Sequence, residues 1–258
     1  MPQYSTNAIY EYLKTKDNLQ HNYIYIHDGN WLLIYGDENA MPKLFLIVTR
    51  MPAELDEQLT LFEQNALRLL ANQPTPIRML RFNEHKFSKE TAVSNKENKG
   101  FQAISTADLY AVLFEPYGLK ANANIAAKQV NEATSSTFHD WQRSFLSGKL
   151  TLTDVDVIAY NNNYEILGIF ELKRSFAELD KWKPYAADYA NFRLLKRAFD
   201  PAISILILYN LYKGNPRVEY ISLLRVFKIA NDTPTISNVY LELDTGRTYN
   251  FPIDQVFN

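Results

Sequence analysis

Between residues 22 and 49 three apolar runs, "NYIYI", "NWLLIY" and "KLFLIVT", are separated by the turn-forming segments "HDGN" and "GDENAMP". This alternation predicts an antiparallel meander, with Asp28-Gly29 tolerating the positive φ that a tight hairpin loop needs. In "MPAELDEQLTLFEQNALRLLAN", residues Leu55, Leu59, Leu61, Phe62, Ala66 and Leu69 fall mostly three or four apart, the period of a helix with one buried stripe, and the strand "PIRMLRF" follows. The polar stretch 83–100 reads as a loop or linker. "STADLYAVLF" reads as a helix opened by a Ser-x-x-Asp start and ended at Pro116-Tyr117-Gly118.

From about residue 120 the pattern changes. A helix is predicted over 136–147, capped by Ser135, Ser136 or Thr137, with Phe138, Trp141 and Phe145 on one stripe. "TLTDVDVIAY" at 151–160 and "YEILGIFELK" at 164–173 form a hairpin closed by Asn161-Asn162-Asn163. An amphipathic helix over about 181–198 follows, then "ISILILY" at 203–209, apolar without alternation as in a strand covered on both faces. "RVEYISLLRVFKI" gives a further strand, and a last hairpin turns around Asp244-Thr245-Gly246. These elements predict an α/β protein with a small N-terminal α/β module over 1–120 and a second domain over 121–258. No internal repeat is visible in the sequence.

With 258 residues, 47% of them hydrophobic and 22% charged, the chain can build a large core, which excludes a disordered tail or a coiled-coil rod. The absence of cysteine excludes disulfides, thiolate zinc sites and a cysteine nucleophile. No apolar run approaches the roughly 18 residues of a membrane helix, and the opening "MPQYSTNAIYEYLKTKD" has no basic start followed by an apolar stretch, so the cytoplasm is the expected location. The net charge of −2 means that any nucleic-acid surface must be a local arrangement. His21, His27, His85 and His139 show no zinc spacing, and adjacent His139 and Asp140 point about 100° apart on a helix, so they form no dyad. Neither a G-x-x-x-x-G-K-[ST] loop nor a G-x-G-x-x-G turn is present.

The residues that carry chemistry are Asp154, Asp156, Glu171 and Lys173. Side chains alternate along a strand, so Asp154 and Asp156 share one face, as do Glu171 and Lys173. A turn closing on residues 162 and 163 sets Asp154 opposite Glu171, whereas a turn on 163 and 164 pairs Asp156 with Glu171. Either register brings carboxylates from two strands together, where like charges repel unless a cation neutralises them. Carboxylate oxygens without cysteine or a histidine pair suit Mg²⁺ or Mn²⁺. A lysine two residues beyond the glutamate can hold the attacking water and stabilise charge developing on a phosphate. Acids for a metal and one lysine for an anion describe phosphodiester hydrolysis.

"TDVDVIAY" followed by "GIFELK" resembles the PD-(D/E)xK nuclease superfamily, with a helix before the two motif strands and a helix and strand after them. The resemblance covers about 135–210 and implies a restriction-endonuclease-like core with a central mixed sheet flanked by helices. It implies a Mg²⁺-dependent deoxyribonuclease, with Mn²⁺ able to substitute, in which Asp156 is the family aspartate, Asp154 its rival, and Glu171 and Lys173 the E-x-K pair. No proline precedes either aspartate. Gln142, on the preceding helix, stands where members often carry Glu or Gln near the metal. Arg143 and Tyr189 are candidate substrate contacts. Lys173, Arg174, Lys181, Lys183, Arg193, Lys196 and Arg197 outnumber Glu171, Glu178, Asp180 and Asp188, which suggests a rim tracking the DNA backbone, with Arg174 and Lys183 in it. A restriction or defence endonuclease is the first expectation. The alternatives are a repair or recombination nuclease and an inactive nucleic-acid-binding or assembly protein. DNA is favoured over RNA as partner, and a homodimer is expected if both strands of a duplex are cut.

Overall fold

The computed structural model describes residues 7–15, 22–25, 29–51, 58–83, 91–119, 137–146, 150–214, 218–230 and 233–242. In chain order these form α1 (Ala8–Thr15), β1 (Asn22–Tyr25), β2 (Trp31–Gly36), β3 (Pro42–Arg50), α2 (Leu61–Leu70), β4 (Ile77–Phe82), β5 (Thr91–Ser94), β6 (Phe101–Ile104), α3 (Leu109–Leu113), α4 (Thr137–Phe145), β7 (Thr151–Asp154), β8 (Val157–Tyr160), β9 (Ile166–Ser175), α5 (Tyr189–Ala198), β10 (Ser204–Lys213), β11 (Val218–Ala230) and β12 (Thr233–Glu242). The architecture is mixed α/β: two six-stranded mixed sheets and few helices.

The chain divides into two compact units, residues 1–5 with 26–154, and residues 6–25 with 155–258. The division differs from the expected one near residue 120 because strand pairing does not follow chain order. The expected meander holds only for β2 and β3; β1 pairs antiparallel with β8 instead. The run 151–160, expected as one strand, is two: β7 pairs with β2, and β8 with β9.

The first unit's sheet has the order β6-β5-β4-β3-β2-β7, and β3 and β4, joined through α2, are its parallel pair. One face packs Trp31, Leu33, Tyr35, Leu44, Leu46 and Val48 against α3 and α4. Of the expected stripe on α4, Phe138 and Trp141 are buried and Phe145 is exposed. Helix α2 begins at Thr60, where Thr60 and Glu63 form a capping box, so Leu59 lies before it and Leu61 is exposed. Part of the expected linker 83–100 is β5, paired between β4 and β6. Ser105 and Asp108 are hydrogen-bonded as the Ser-x-x-Asp start anticipates, and α3 opens after them.

The second unit's sheet has the order β1-β8-β9-β10-β11-β12, with β9 and β10, joined through α5, as its parallel pair. Val157, Ala159, Phe170, Leu172, Leu206 and Leu208 pack against Ile9, Tyr12 and Leu13 of α1. On the alternate positions Ile158, Ile169, Ile205 and Ile207 are buried too, as expected of strands covered on both faces. Helix α5 starts at residue 189 rather than 181, because Pro184 disfavours helical backbone at the residue before it. The hairpin expected around residue 245 lies outside the described residues.

A fully buried ion pair ties α2 to the first sheet: Arg81 Nη2 is 2.6 Å from Glu63 Oε2, and Thr49 Oγ1 donates to Glu63 Oε1 at 2.8 Å. Burial alone would raise the Glu63 carboxyl, but hydrogen bonds from Arg81, the Thr60 N–H and Thr49 outweigh it and hold its pKa below the ordinary value. The lowered pKa contributes stability above the carboxyl's unfolded pKa, and that contribution is lost as pH falls through the folded one. Arg81→Ala is expected to cost about 3–5 kcal/mol in urea unfolding at pH 7, because it strands a buried carboxylate. A cost below about 1 kcal/mol would contradict the assignment.

Candidate active site

The hairpin of β8 and β9 decides between the two registers. Val157 pairs with Phe170 and Ile158 with Ile169, so one further step sets Asp156 beside Glu171. The turn is built by Asn161, whose Oδ1 accepts the N–H groups of Asn163 and Glu165 at 2.9 and 3.0 Å, with Tyr164 at φ 61°. Asp154 belongs to the other sheet: it ends β7, opposite Leu33 of β2. The register sets Asp156 across from Glu171, an ion pair joins Glu171 to Lys173, and Asp154 does not lie on their sheet.

Asp156 lies where the chain enters β8, and its Oδ2 accepts the Leu172 N–H of β9 at 2.6 Å. Its other oxygen accepts the Tyr10 hydroxyl of α1 at 3.2 Å. Glu171 is buried in the middle of β9, next to Ile207 of β10 in register. Lys173 Nζ lies 2.7 Å from Glu171 Oε1, and the lysine side chain keeps 29% of its exposure. The same nitrogen is 5.9 Å from the centroid of the Phe192 ring on α5. Alternation along β9 sends Phe170 and Leu172 to the α1 side and Glu171 and Lys173 to the α5 side.

The remaining expected residues are distributed otherwise. Gln142 is buried in the first unit, where its Oε1 accepts the Tyr35 hydroxyl at 2.7 Å. Arg143 lies on α4, and its side chain is outside the described residues. Arg174 shares the α1 side with Leu172 and is ion-paired with Glu219, which also accepts the Ala8 N–H at 3.0 Å. Lys183 is exposed in the segment before α5, and Tyr189 opens α5 half-buried. Of the wider basic group, Lys196 donates to the carbonyls of Pro201 and Ile203, which makes it a cap for the segment entering β10. Tyr10 is the contributor that sequence reasoning missed. Its helix is amphipathic, but its partner is 146 residues away, and no local signal joins the two.

Mg²⁺ is held through one or two carboxylates and keeps water or phosphate oxygens in its remaining positions. Asp156 and Glu171 supply two hard oxygen donors on neighbouring strands, which fits that requirement. Among the described residues no group of three or more His, Cys, Asp or Glu could hold a metal. Among the same residues no helix is long and apolar enough to cross a membrane.

Comparison with family models, curated proteins and solved structures finds no match for this chain.

Tyr10→Phe is expected to destabilise the second unit by about 0.5–1.5 kcal/mol in chemical denaturation, the net worth of one hydrogen bond. An unchanged midpoint would mean that the hydroxyl does not hold Asp156.

Proposed function

We propose that the chain is a Mg²⁺-dependent deoxyribonuclease that hydrolyses DNA phosphodiester bonds, built on a restriction-endonuclease-like core formed by α1, β8, β9, α5 and β10. The observation that carries this reading is the register of β8 and β9, which puts Asp156 beside Glu171 while Lys173 sits on Glu171. Asp156 stands just before β8, and Glu171 and Lys173 are on β9, an order consistent with the PD-(D/E)xK resemblance.

Asp156 and Glu171 would hold the cation. When bound, it supplies Lewis acidity, lowering the pKa of the attacking water and offsetting the phosphate's charge. Leu172 N–H and the Tyr10 hydroxyl each donate to one oxygen of Asp156 and fix the orientation of the carboxylate. Lys173 keeps part of its exposure where Glu171 is buried, so its ammonium would be the charge offered to a non-bridging phosphate oxygen. Its positive charge stabilises the negative charge that grows on phosphorus as the water oxygen attacks and the sugar oxygen departs. A restriction or defence role suits an enzyme of this kind, and Mn²⁺ is expected to replace Mg²⁺.

The test is cleavage of supercoiled plasmid, linear duplex and single-stranded DNA with Mg²⁺, Mn²⁺ or EDTA. Metal-dependent cutting is expected, falling by about 10²–10³ in Lys173→Ala and to background in Asp156→Ala. DNA binding with no cutting on any substrate would replace the hydrolase by a binding protein, and neither binding nor cutting would overturn the DNA reading.

A further inference from the structure

Although the sequence shows no repeat, the two units repeat each other element by element. Each sheet has a terminal strand, a hairpin, a crossover helix, a parallel strand and two further antiparallel strands, in one spatial order. A displacement of 124 residues carries the β2–β3 hairpin onto β8–β9 in register: Leu33↔Leu46 becomes Val157↔Phe170, and Gly36↔Pro42 becomes Tyr160↔Ile166. The irregularity between Tyr35 and Gly36 falls on that between Ala159 and Tyr160. The turns coincide as well. Asp37 Oδ1 accepts the N–H groups of Asn39 and Met41 as Asn161 Oδ1 accepts those of Asn163 and Glu165, and Ala40 at φ 58° stands where Tyr164 has φ 61°.

A turn of this kind alone would be a weak argument, since unrelated hairpins share turn geometries. The leading segments repeat as well. A displacement of 129 residues carries Ala8, the start of α1, onto Thr137, the start of α4, and β1 (Asn22–Tyr25) onto β7 (Thr151–Asp154). The buried pair Ile9 and Tyr12 falls on Phe138 and Trp141. Yet α1 and β1 belong to the second unit's sheet and core, and α4 and β7 to the first's.

We propose that the chain is a tandem pair of one α–β–β–β–α–β–β–β fold whose leading helix–strand segments are exchanged between the copies, with a hydrolytic centre kept in the second copy alone. The last clause rests on the function proposed above. The displacement that aligns the hairpins puts Leu32, Ile47 and Thr49 in the places of Asp156, Glu171 and Lys173. All three are buried, and none is a carboxylate or an ammonium. Where Lys173 lies near Phe192 of the crossover helix, Thr49 instead donates to Glu63 of the crossover helix, beside Arg81. The first copy has put a structural ion pair where the second keeps chemistry. One chain then cuts one strand. The exchange also explains why Tyr10, at the start of the chain, serves a carboxylate at position 156.

The absence of native cysteine allows a direct test in the full chain. Asn22 and Thr151 are equivalent positions, as are Gly36 and Tyr160; the exchanged fold pairs Asn22 with Tyr160 and Gly36 with Thr151. The double variants Asn22→Cys/Tyr160→Cys and Gly36→Cys/Thr151→Cys are expected to form intramolecular disulfides on mild oxidation, mapped by proteolysis and mass spectrometry. Asn22→Cys/Gly36→Cys and Thr151→Cys/Tyr160→Cys are expected to stay reduced. The opposite pattern, or equal cross-linking in all four, would overturn the exchange; two independent pairs guard against a single variant that fails to fold. Calorimetric titration with Mn²⁺ separately reads the number of centres: one ion per chain, lost in Asp156→Ala, is expected. Two ions per chain would overturn the single centre. No ion would overturn the centre and the nuclease reading together, while the cross-links still decide the exchange.

Discussion

A carboxylate buried on the middle strand of a sheet costs several kcal/mol unless its charge is met. Glu171 is in that position, and much of the second unit's local arrangement follows from it. Lys173 comes from the same strand, two residues on, so alternation delivers the counter-charge without any loop. Asp156 is kept beside it by two hydrogen bonds, one from the backbone of β9 and one from α1. Two acids and one ammonium leave the cluster with a formal charge of −1, which a divalent cation at the strand ends would reverse. The three residues thus sum to a net negative charge, whereas Glu63 and Arg81 of the first unit sum to zero.

The first unit provides the comparison from within the same chain. Its crossover helix is also tied to the sheet by charge, but Glu63 and Arg81 are both fully buried, joined side chain to side chain, with Thr49 on the remaining edge. That cluster satisfies itself and offers nothing to a ligand. The same strand order and the same hairpin turn therefore carry two electrostatic solutions. In one both members of the ion pair are fully buried; in the other a buried carboxylate meets an ammonium that keeps part of its exposure.

Much of the second unit was legible in the sequence. The apolar runs mark β8, β9 and β10, the three asparagines mark the turn, and the E-x-K falls on β9. What could not be read was set by long-range pairing. Nothing between Asp154 and Asp156 signals a turn, and period-two alternation continues through Val155, so a strand that passes from one sheet to another looks like one strand. In sequence Asp154 and Asp156 are therefore equivalent, and the break in the ladder separates them. Gln142 precedes the motif strands in sequence, but α4 packs in the first unit. The repeat was hidden because its equivalent positions have exchanged chemistry: Leu32 for Asp156, Ile47 for Glu171 and Thr49 for Lys173. Backbone hydrogen bonds preserved it where side chains did not.

The most direct measurement replaces the second unit's pair by the first unit's residues, Glu171→Ile with Lys173→Thr, and compares unfolding free energy and metal-dependent DNA cleavage with the unaltered protein. If Glu171 and Lys173 are retained for chemistry, the apolar replacement leaves stability unchanged or raises it by about 1–4 kcal/mol and abolishes cleavage. A large loss of stability would make the pair a structural ion pair like that of Glu63 and Arg81. Cleavage that survives would place the chemistry elsewhere.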